Sequence, residues 1–413
     1  MKFHWFHLMP YPELPEDFAQ KNRSVWVDYP NSAFDPAVGH RAYQEYIGQL
    51  EFAGEMGFDG ICVNEHHSNA YGLMPSPNLM ASILARTTTK PKIVVMGNSV
   101  ALYNPAIRVA EEMAMIDVLS NGRLVAGFPV GTPMDTAFCM GQNPATLREK
   151  YREGVDLVLK AWTTREPFAF NGNYNQLRYV NTWPRPVQQP HPPIWIPGGG
   201  SIETWGWCVE NDFLYAYLSY FGYKRARAMM ESFWEEVDRR GAEMNPYRAG
   251  FLQFVAIAEN EEEAERIYGP AACYFYNRAL KVYPGFAAPP GYSTIATLRK
   301  GIGSQVVDTT VMPELTWKDI VNQGFVVTGT PDSVAQQLNE MADVMRVGHL
   351  MMLFHFGNLP DAAVRYNTER FAKEVAPKLR HRFSDWEDRW WPKDQPAAPV
   401  PAVASPSLMP LQA

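Results

Sequence analysis

The sequence predicts an α/β protein built as a (β/α)8 TIM barrel, and three observations carry that prediction. Eight short apolar runs of strand length recur along the chain, nearly all of them separated by stretches with helical spacing. Strands alternating with helices are joined by right-handed crossovers, which gives a parallel sheet. Eight such units suit a closed barrel better than an open doubly wound sheet, which usually has fewer strands.

In chain order, "MKFHWFHLM" is the first strand, and the polar, Pro-bearing segment from Pro10 to about Gly39 reads as a long loop of the kind that often forms a lid. "HRAYQEYIGQLEFAGEMG" is a helix stopped by Gly57, and "FDGICVNEHH" the second strand. "SPNLMASILARTTT" is a helix with Ser76 or Asn78 as cap and Pro77 in its first turn. "KIVVMGNSVAL" is an unbroken apolar strand, the kind buried on both faces. The next helix, "NPAIRVAEEMAMIDVLSNG", has Asn104 as cap, Pro105 in its first turn and Gly122 past its end.

The strand "RLVAGFPVG", the helix "ATLREKYREGVDLVLKAW", the strand "PPIWIPGGG" and the helix "SIETWGWCVEN" follow. Then come "FLYAYLSY", "YKRARAMMESFWEEVDRRG", "GFLQFVAIAEN" and "EEEAERIYGPAACYFYNRAL", again alternating. The last unit is the helix "TPDSVAQQLNEMADVMRVG", the strand "HLMMLFHFG" and the helix "PDAAVRYNTERFAKEVAPKLRHRF". Residues 283–324 read as an insertion before this unit, expected over the barrel mouth. The barrel domain is expected over residues 1–380, and 381–413 as a flexible C-terminal tail whose Pro/Ala-rich composition sets in near Asp388.

Composition narrows the function. A 46% hydrophobic and 20% charged chain of 413 residues is that of a globular protein with a large core. A formal net charge of −7 with no Lys/Arg-rich block argues against nucleic acid or an anionic membrane surface as partner. Cys62, Cys139, Cys208 and Cys273 lie far apart, and no apolar run reaches the ~18 residues of a membrane span, so a cytoplasmic protein with reduced thiols is expected.

Active sites of such barrels form at the carboxyl ends of the strands. Glu65, His66 and His67 stand at the end of the second strand, as titratable groups facing the mouth. Neighbours on a strand point to opposite faces and the third, fourth and fifth strand ends offer no further ligands, so no metal is expected. The other strand ends carry Asn98, Ser99 and Val100 on the third, Gly127 on the fourth, and Gly198, Gly199, Gly200 and Ser201 on the fifth. The last of these turns opens a helix, whose free N–H groups and positive dipole end make an anion site suited to phosphate. It is neither a P-loop nor a dinucleotide fingerprint.

These stretches resemble the bacterial luciferase-like family of flavin-dependent monooxygenases. The resemblance spans about residues 1–380, and rests chiefly on "EHH" and on "NPAIRVAEEMAMIDVLSNGR", with "PPIWIPGGGS" and "VTGTPDSVAQQLNEMADV" in the family's order. It implies a (β/α)8 barrel holding reduced FMN, which reacts with O2 to give a flavin C(4a)-hydroperoxide that oxygenates a small organic substrate. The aromatic-rich segments point to an apolar or aromatic one. His66 would handle the proton beside the flavin, and Glu65 would bind near the ring or hold the imidazole. The turn at Asn98, Ser99 and Val100 would be where members carry a non-proline cis peptide, and Gly198, Gly199, Gly200 and Ser201 would take the phosphate. Where bacterial luciferase has a phosphate-binding arginine this chain has Val130, so Tyr151 is the candidate phosphate donor with Arg152 its neighbour. The resemblance also implies a separate NAD(P)H-dependent flavin reductase and a homodimer. A deazaflavin-dependent oxidoreductase on the same barrel and a non-enzymatic flavin-binding protein are the alternative readings.

Overall fold

In the computed structural model, which describes residues 1–299 and 313–396, the eight expected strands are all present and close a parallel barrel. They are β1 (Lys2–Phe6), β2 (Gly60–Val63), β3 (Lys92–Val95), β4 (Leu124–Gly127), β7 (Ile194–Gly198), β8 (Leu214–Tyr217), β9 (Ala249–Ile257) and β11 (His349–Leu353). They pair in the order β1-β2-β3-β4-β7-β8-β9-β11, and β11 returns to β1 through Lys2 opposite His349 and Trp5 opposite Met352. Nearly every residue in these strands is buried, because the barrel interior covers one face and the helices the other.

Three strands lie outside this circle. β5 (Phe168–Asn171) and β6 (Gln176–Val180) form an antiparallel hairpin, and β10 (Val326–Gly329) pairs in parallel with the second half of β9, Val326 opposite Phe254. The nine-residue β9 is long enough to serve β8, β11 and β10 in turn.

The helix starts follow local chemistry. Asp35 accepts from the Ala37 N–H at 2.7 Å to cap the helix Pro36–Glu55, and Thr330 caps Pro331–Met345 through the Ser333 N–H. Ser76 takes the N-cap position of Pro77–Thr87, while Asn78 donates to Glu112 at 2.7 Å instead of capping. The helix expected from Asn104 begins later, at Ile107, where the Ala106 N–H goes to Oδ1 of Asn175 from the hairpin, 3.2 Å away.

The "DVLSNGR" part of the motif holds the fold. Arg123 is buried and donates to the carbonyls of Ser120, Ala85, Thr88 and Pro91 and to the Thr88 hydroxyl, gathering the end of Pro77–Thr87 below β3 and β4. Asp117 accepts from the backbone and side chain of Gln188.

The insertion contributes the helices Pro284–Ala287, Ile295–Arg299 and Trp317–Asn322, with 300–312 outside the described residues. Its Tyr292 hydroxyl donates to the Gly131 carbonyl at 2.8 Å, which seats this stretch over the carboxyl ends of the strands. Residues 381–396 of the expected tail run across the opposite end. Trp195 Nε1 donates to the Trp390 carbonyl at 3.0 Å, Trp391 lies 4.8 Å from the His4 ring, and Lys92 pairs with Asp394 at 2.6 Å. The tail beyond 396 lies outside the described residues.

Candidate active site

A cavity of about 680 Å³ opens at the carboxyl ends of the strands, within the size range of small-molecule sites. Two of its walls matter most. One holds Asn64, Glu65 and His66 from the end of β2 with Ser99 from the end of β3; the other is the turn Gly198, Gly199, Gly200 and Ser201 after β7.

Each titratable group at the β2 end has its own partner. His66 Nδ1 is 2.8 Å from Oδ2 of Asp135, a residue of the helical stretch Met134–Cys139 that follows β4. Among the described residues its Nε2 meets no protein partner, and the ring lines the cavity. Tyr71 stands edge-on to this ring at 4.7 Å, and Trp26 from the N-terminal loop stacks on Tyr71 at 3.9 Å. That loop therefore backs the site instead of lining it.

Glu65 is bound on both oxygens. Oε1 accepts from His67 Nε2 at 3.0 Å and from the Tyr103 hydroxyl at 2.8 Å, and Oε2 from the Ser99 N–H at 2.6 Å. Glu65 thus ties the end of β2 to the end of β3 and holds His67, whereas the His66 ring is held by Asp135. Burial pulls the His67 pKa down, but the hydrogen bond and charge of Glu65, with Asp135 beyond, raise it on balance. Burial and the Glu65 charge together push the Tyr103 hydroxyl far up, so it stays a donor.

The expected site residues divide cleanly. His66, Glu65, Ser99, Gly198, Gly199, Gly200 and Ser201 come together around one cavity. Asn98, Val100, Gly127 and Tyr151 do not. Asn98 donates through its backbone to Gly127 O and through its side chain to Tyr103, and Val100 packs where a Cβ on Gly154 would strike it at 2.6 Å. Gly127 is glycine because a Cβ there would meet the Val95 carbonyl oxygen at 2.1 Å. The Tyr151 hydroxyl is committed to the Phe128 carbonyl at 2.6 Å, behind the wall. No cis peptide occurs at residues 98–100; among the described residues the cis bonds are Asn104-Pro105, Trp183-Pro184 and Gln189-Pro190.

Arg148, one turn before Tyr151 on the helix Leu147–Thr163, supplies the charge that Tyr151 does not. It lines the cavity, donates to Thr204 Oγ1 at 3.2 Å beside the Gly-rich turn, and its Nε is buried with no partner among the described residues. Opposite it, a Cβ on Gly199 would meet nothing within 4 Å, so backbone there is open to a ligand. The helix Ile202–Glu210 starts immediately after the turn; the Thr204 N–H goes to the Ser201 carbonyl at 3.0 Å, and the Ile202 N–H before it has no acceptor among the described residues. An unpartnered guanidinium nitrogen, an open glycine and a helix start fit the phosphate of a flavin mononucleotide. The flat walls of Met96, Tyr215, Tyr217 and Phe221 fit its ring or an apolar substrate.

Comparisons with known proteins bear on the family and the fold. Over 164 residues, 39% of this chain and 45% of the relative, the sequence is 30% identical to the oxygenase component of a flavin-dependent trigonelline monooxygenase from Acinetobacter baylyi. Over 183 residues, 40% of this chain and 52% of the relative, it is 28% identical to an F420-dependent glucose-6-phosphate dehydrogenase from Amycolatopsis mediterranei. The fold matches the oxygenating constituent of 3,6-diketocamphane monooxygenase from Pseudomonas putida, a type II Baeyer-Villiger monooxygenase solved with FMN. That match has a TM-score of 0.69 at 20% identity and covers 92% of this chain and 99% of the other. The sequence profile of the luciferase-like monooxygenases matches residues 21–346, most of the barrel and both walls of the cavity, and the chain belongs to that family.

Proposed function

We propose that this chain is the oxygenase component of a two-component flavin monooxygenase, taking reduced FMN from a separate NAD(P)H-dependent reductase and oxygenating a small apolar or aromatic substrate. The observation that carries the reading is the placement of His66 Nε2, without a protein partner among the described residues, in the wall of the same cavity as the Gly199 turn and Arg148. Bound reduced flavin would supply the activation of O2. The chain's own residues do the rest. Gly199, Gly200, Ser201 and Arg148 bind the phosphate; His66 accepts and returns a proton at Nε2; Met96, Leu218 and Phe221 keep water from the reacting end. The trigonelline relative, named as an oxygenase component, supports the two-component arrangement.

We also propose a homodimer. Leu79 and Ile83 on the helix Pro77–Thr87 and Met115, Val118 and Leu119 on Ile107–Leu119 are exposed on two helices that the Asn78–Glu112 bond joins, an apolar face that a second copy would cover. A cytoplasmic setting is supported by four free cysteines; among the described residues no helix is long and apolar enough to cross a membrane.

The decisive experiment mixes the protein anaerobically with reduced FMN, admits 18O2 and screens small apolar and aromatic substrates. One 18O atom in the product is the expected result. Substrate turned over only with a reduced deazaflavin and without oxygen would replace this reading with a dehydrogenase, the activity named for the F420-dependent relative. Binding without turnover of either kind would leave a flavin-binding protein.

A further inference from the structure

We propose that Asp135 is the positioning residue of His66: its carboxylate fixes the imidazole with Nδ1–H inward, so that Nε2 faces the cavity as a proton acceptor. The inference rests on the function proposed above and specifies which way its proton moves first.

The geometry leaves one arrangement. Asp135 Oδ2 is 2.8 Å from His66 Nδ1 and also accepts from the Thr132 hydroxyl at 2.9 Å. Oδ1 accepts from the His67 N–H at 2.8 Å and from Asn69 Nδ2 at 3.1 Å. Besides the His66 ring, three donors converge on a carboxylate that is 3% exposed, and no acceptor faces it among the described residues. An ionised carboxylate only accepts, so the hydrogen of the neutral ring belongs on Nδ1 and the lone pair on Nε2. A proton taken from a ligand in the cavity then lands on Nε2, the resulting imidazolium is balanced by the carboxylate 2.8 Å away, and the proton returns by the same atom.

Glu65 does not compete for this role, since His67, Tyr103 and Ser99 occupy its oxygens. The other titratable groups packed about the pair are Glu65 and His67 from the β2 end, Tyr71 from the following loop, Tyr103 from the turn after β3, and Cys139 on Asp135's own stretch. None of them contacts Nδ1 of His66. Asp135 is thus one carboxylate that sets the ring's tautomer and pins the backbone of the neighbouring histidine.

The test is Asp135→Asn together with 15N spectra of the imidazole nitrogens, the His66 signals being assigned by their loss in His66→Ala. The amide turns a donor toward Nδ1 and reverses the tautomer. Turnover should fall about 10²- to 10⁴-fold, the range seen when a catalytic histidine is held in the wrong tautomer. KM and the flavin Kd should stay within about twofold. A variant with the wild-type tautomer and turnover overturns the proposal. So does wild-type protein carrying its neutral-ring hydrogen on Nε2, a measurement that decides the matter even if Asp135→Asn fails to fold. If no substrate is oxygenated with reduced flavin, the monooxygenase reading fails while the wild-type tautomer still judges Asp135.

Discussion

The Tyr103 hydroxyl and the Glu65 carboxylate, 2.8 Å apart, form a bridge between the ends of β3 and β2, and the same oxygen of Glu65 holds His67. This makes His67 a sensor of pH for the fold. Its pKa is raised in the folded state, so its stabilising pair with Glu65 is fully present below the ordinary histidine value of about 6.5 and is lost as pH rises through the folded-state value. Thermal unfolding between about pH 5.5 and 8.5 should show stability declining over that window, with a shallower decline in Glu65→Gln. An identical slope in the two proteins would dissociate Glu65 from His67.

His66→Ala should leave the fold and the flavin Kd nearly unchanged, because the phosphate end lies on the opposite wall. Single-turnover oxygenation should slow by about a hundredfold or more, the scale of a lost acid or base. His67→Ala should act through stability instead. Normal oxygenation in His66→Ala would move the proton chemistry elsewhere.

Arg148→Met should weaken FMN binding by about ten- to a hundredfold, the loss of a hydrogen-bonded charge worth about 1.5–3 kcal/mol, while leaving riboflavin binding as it was. Fluorescence titration with both ligands separates the phosphate term from the ring. Tyr151→Phe should leave both affinities unchanged and lower stability by about 1 kcal/mol, since only the bond to Phe128 is lost. An FMN-specific loss in Tyr151→Phe would return that hydroxyl to the phosphate.

The two glycines of the turn should respond differently. Gly200 has φ +107° and a Cβ there would reach Met229 Sδ at 2.6 Å, so Gly200→Val should unfold the turn and lower the melting temperature. A Cβ at Gly199 meets no atom within 4 Å, so Gly199→Ala should keep the melting temperature while weakening FMN binding, because the methyl group occupies space the phosphate needs. Calorimetry with a flavin titration on each variant checks both halves.

The barrel was legible because period and burial write themselves into local sequence: each of the eight apolar runs became a barrel strand. β10 escaped because its four residues sit between Gly324 and the Thr330 cap with no pattern of their own, and the β5–β6 hairpin because its half-exposed residues lack an apolar run. The site was half legible. Strand-end position found His66, Glu65 and the Gly-rich turn, but Asp135 lies 69 positions from His66, and no local pattern reports that proximity. Arg148 was visible only as part of a charged helix face. It reaches the cavity because it stands at the start of its helix, beside the barrel mouth, while Tyr151 a turn later is already against the wall.

The strip formed by residues 381–396 touches β1 through Trp391 on His4, β3 through Asp394 on Lys92, β7 through Trp390 on Trp195 and β11 through Asp388, 3.4 Å from His349. It works as a hoop, joining the paired strands β1 and β11 to β3 and β7, which pair neither with them nor with each other, at their starting ends. Local fraying of any one of these strands must therefore break contacts shared with the others, which couples the barrel into one cooperative unit. Ending the chain at residue 380 should uncouple it: amide exchange in β1, β3, β7 and β11 should accelerate to different extents, and the single calorimetric transition should broaden or divide.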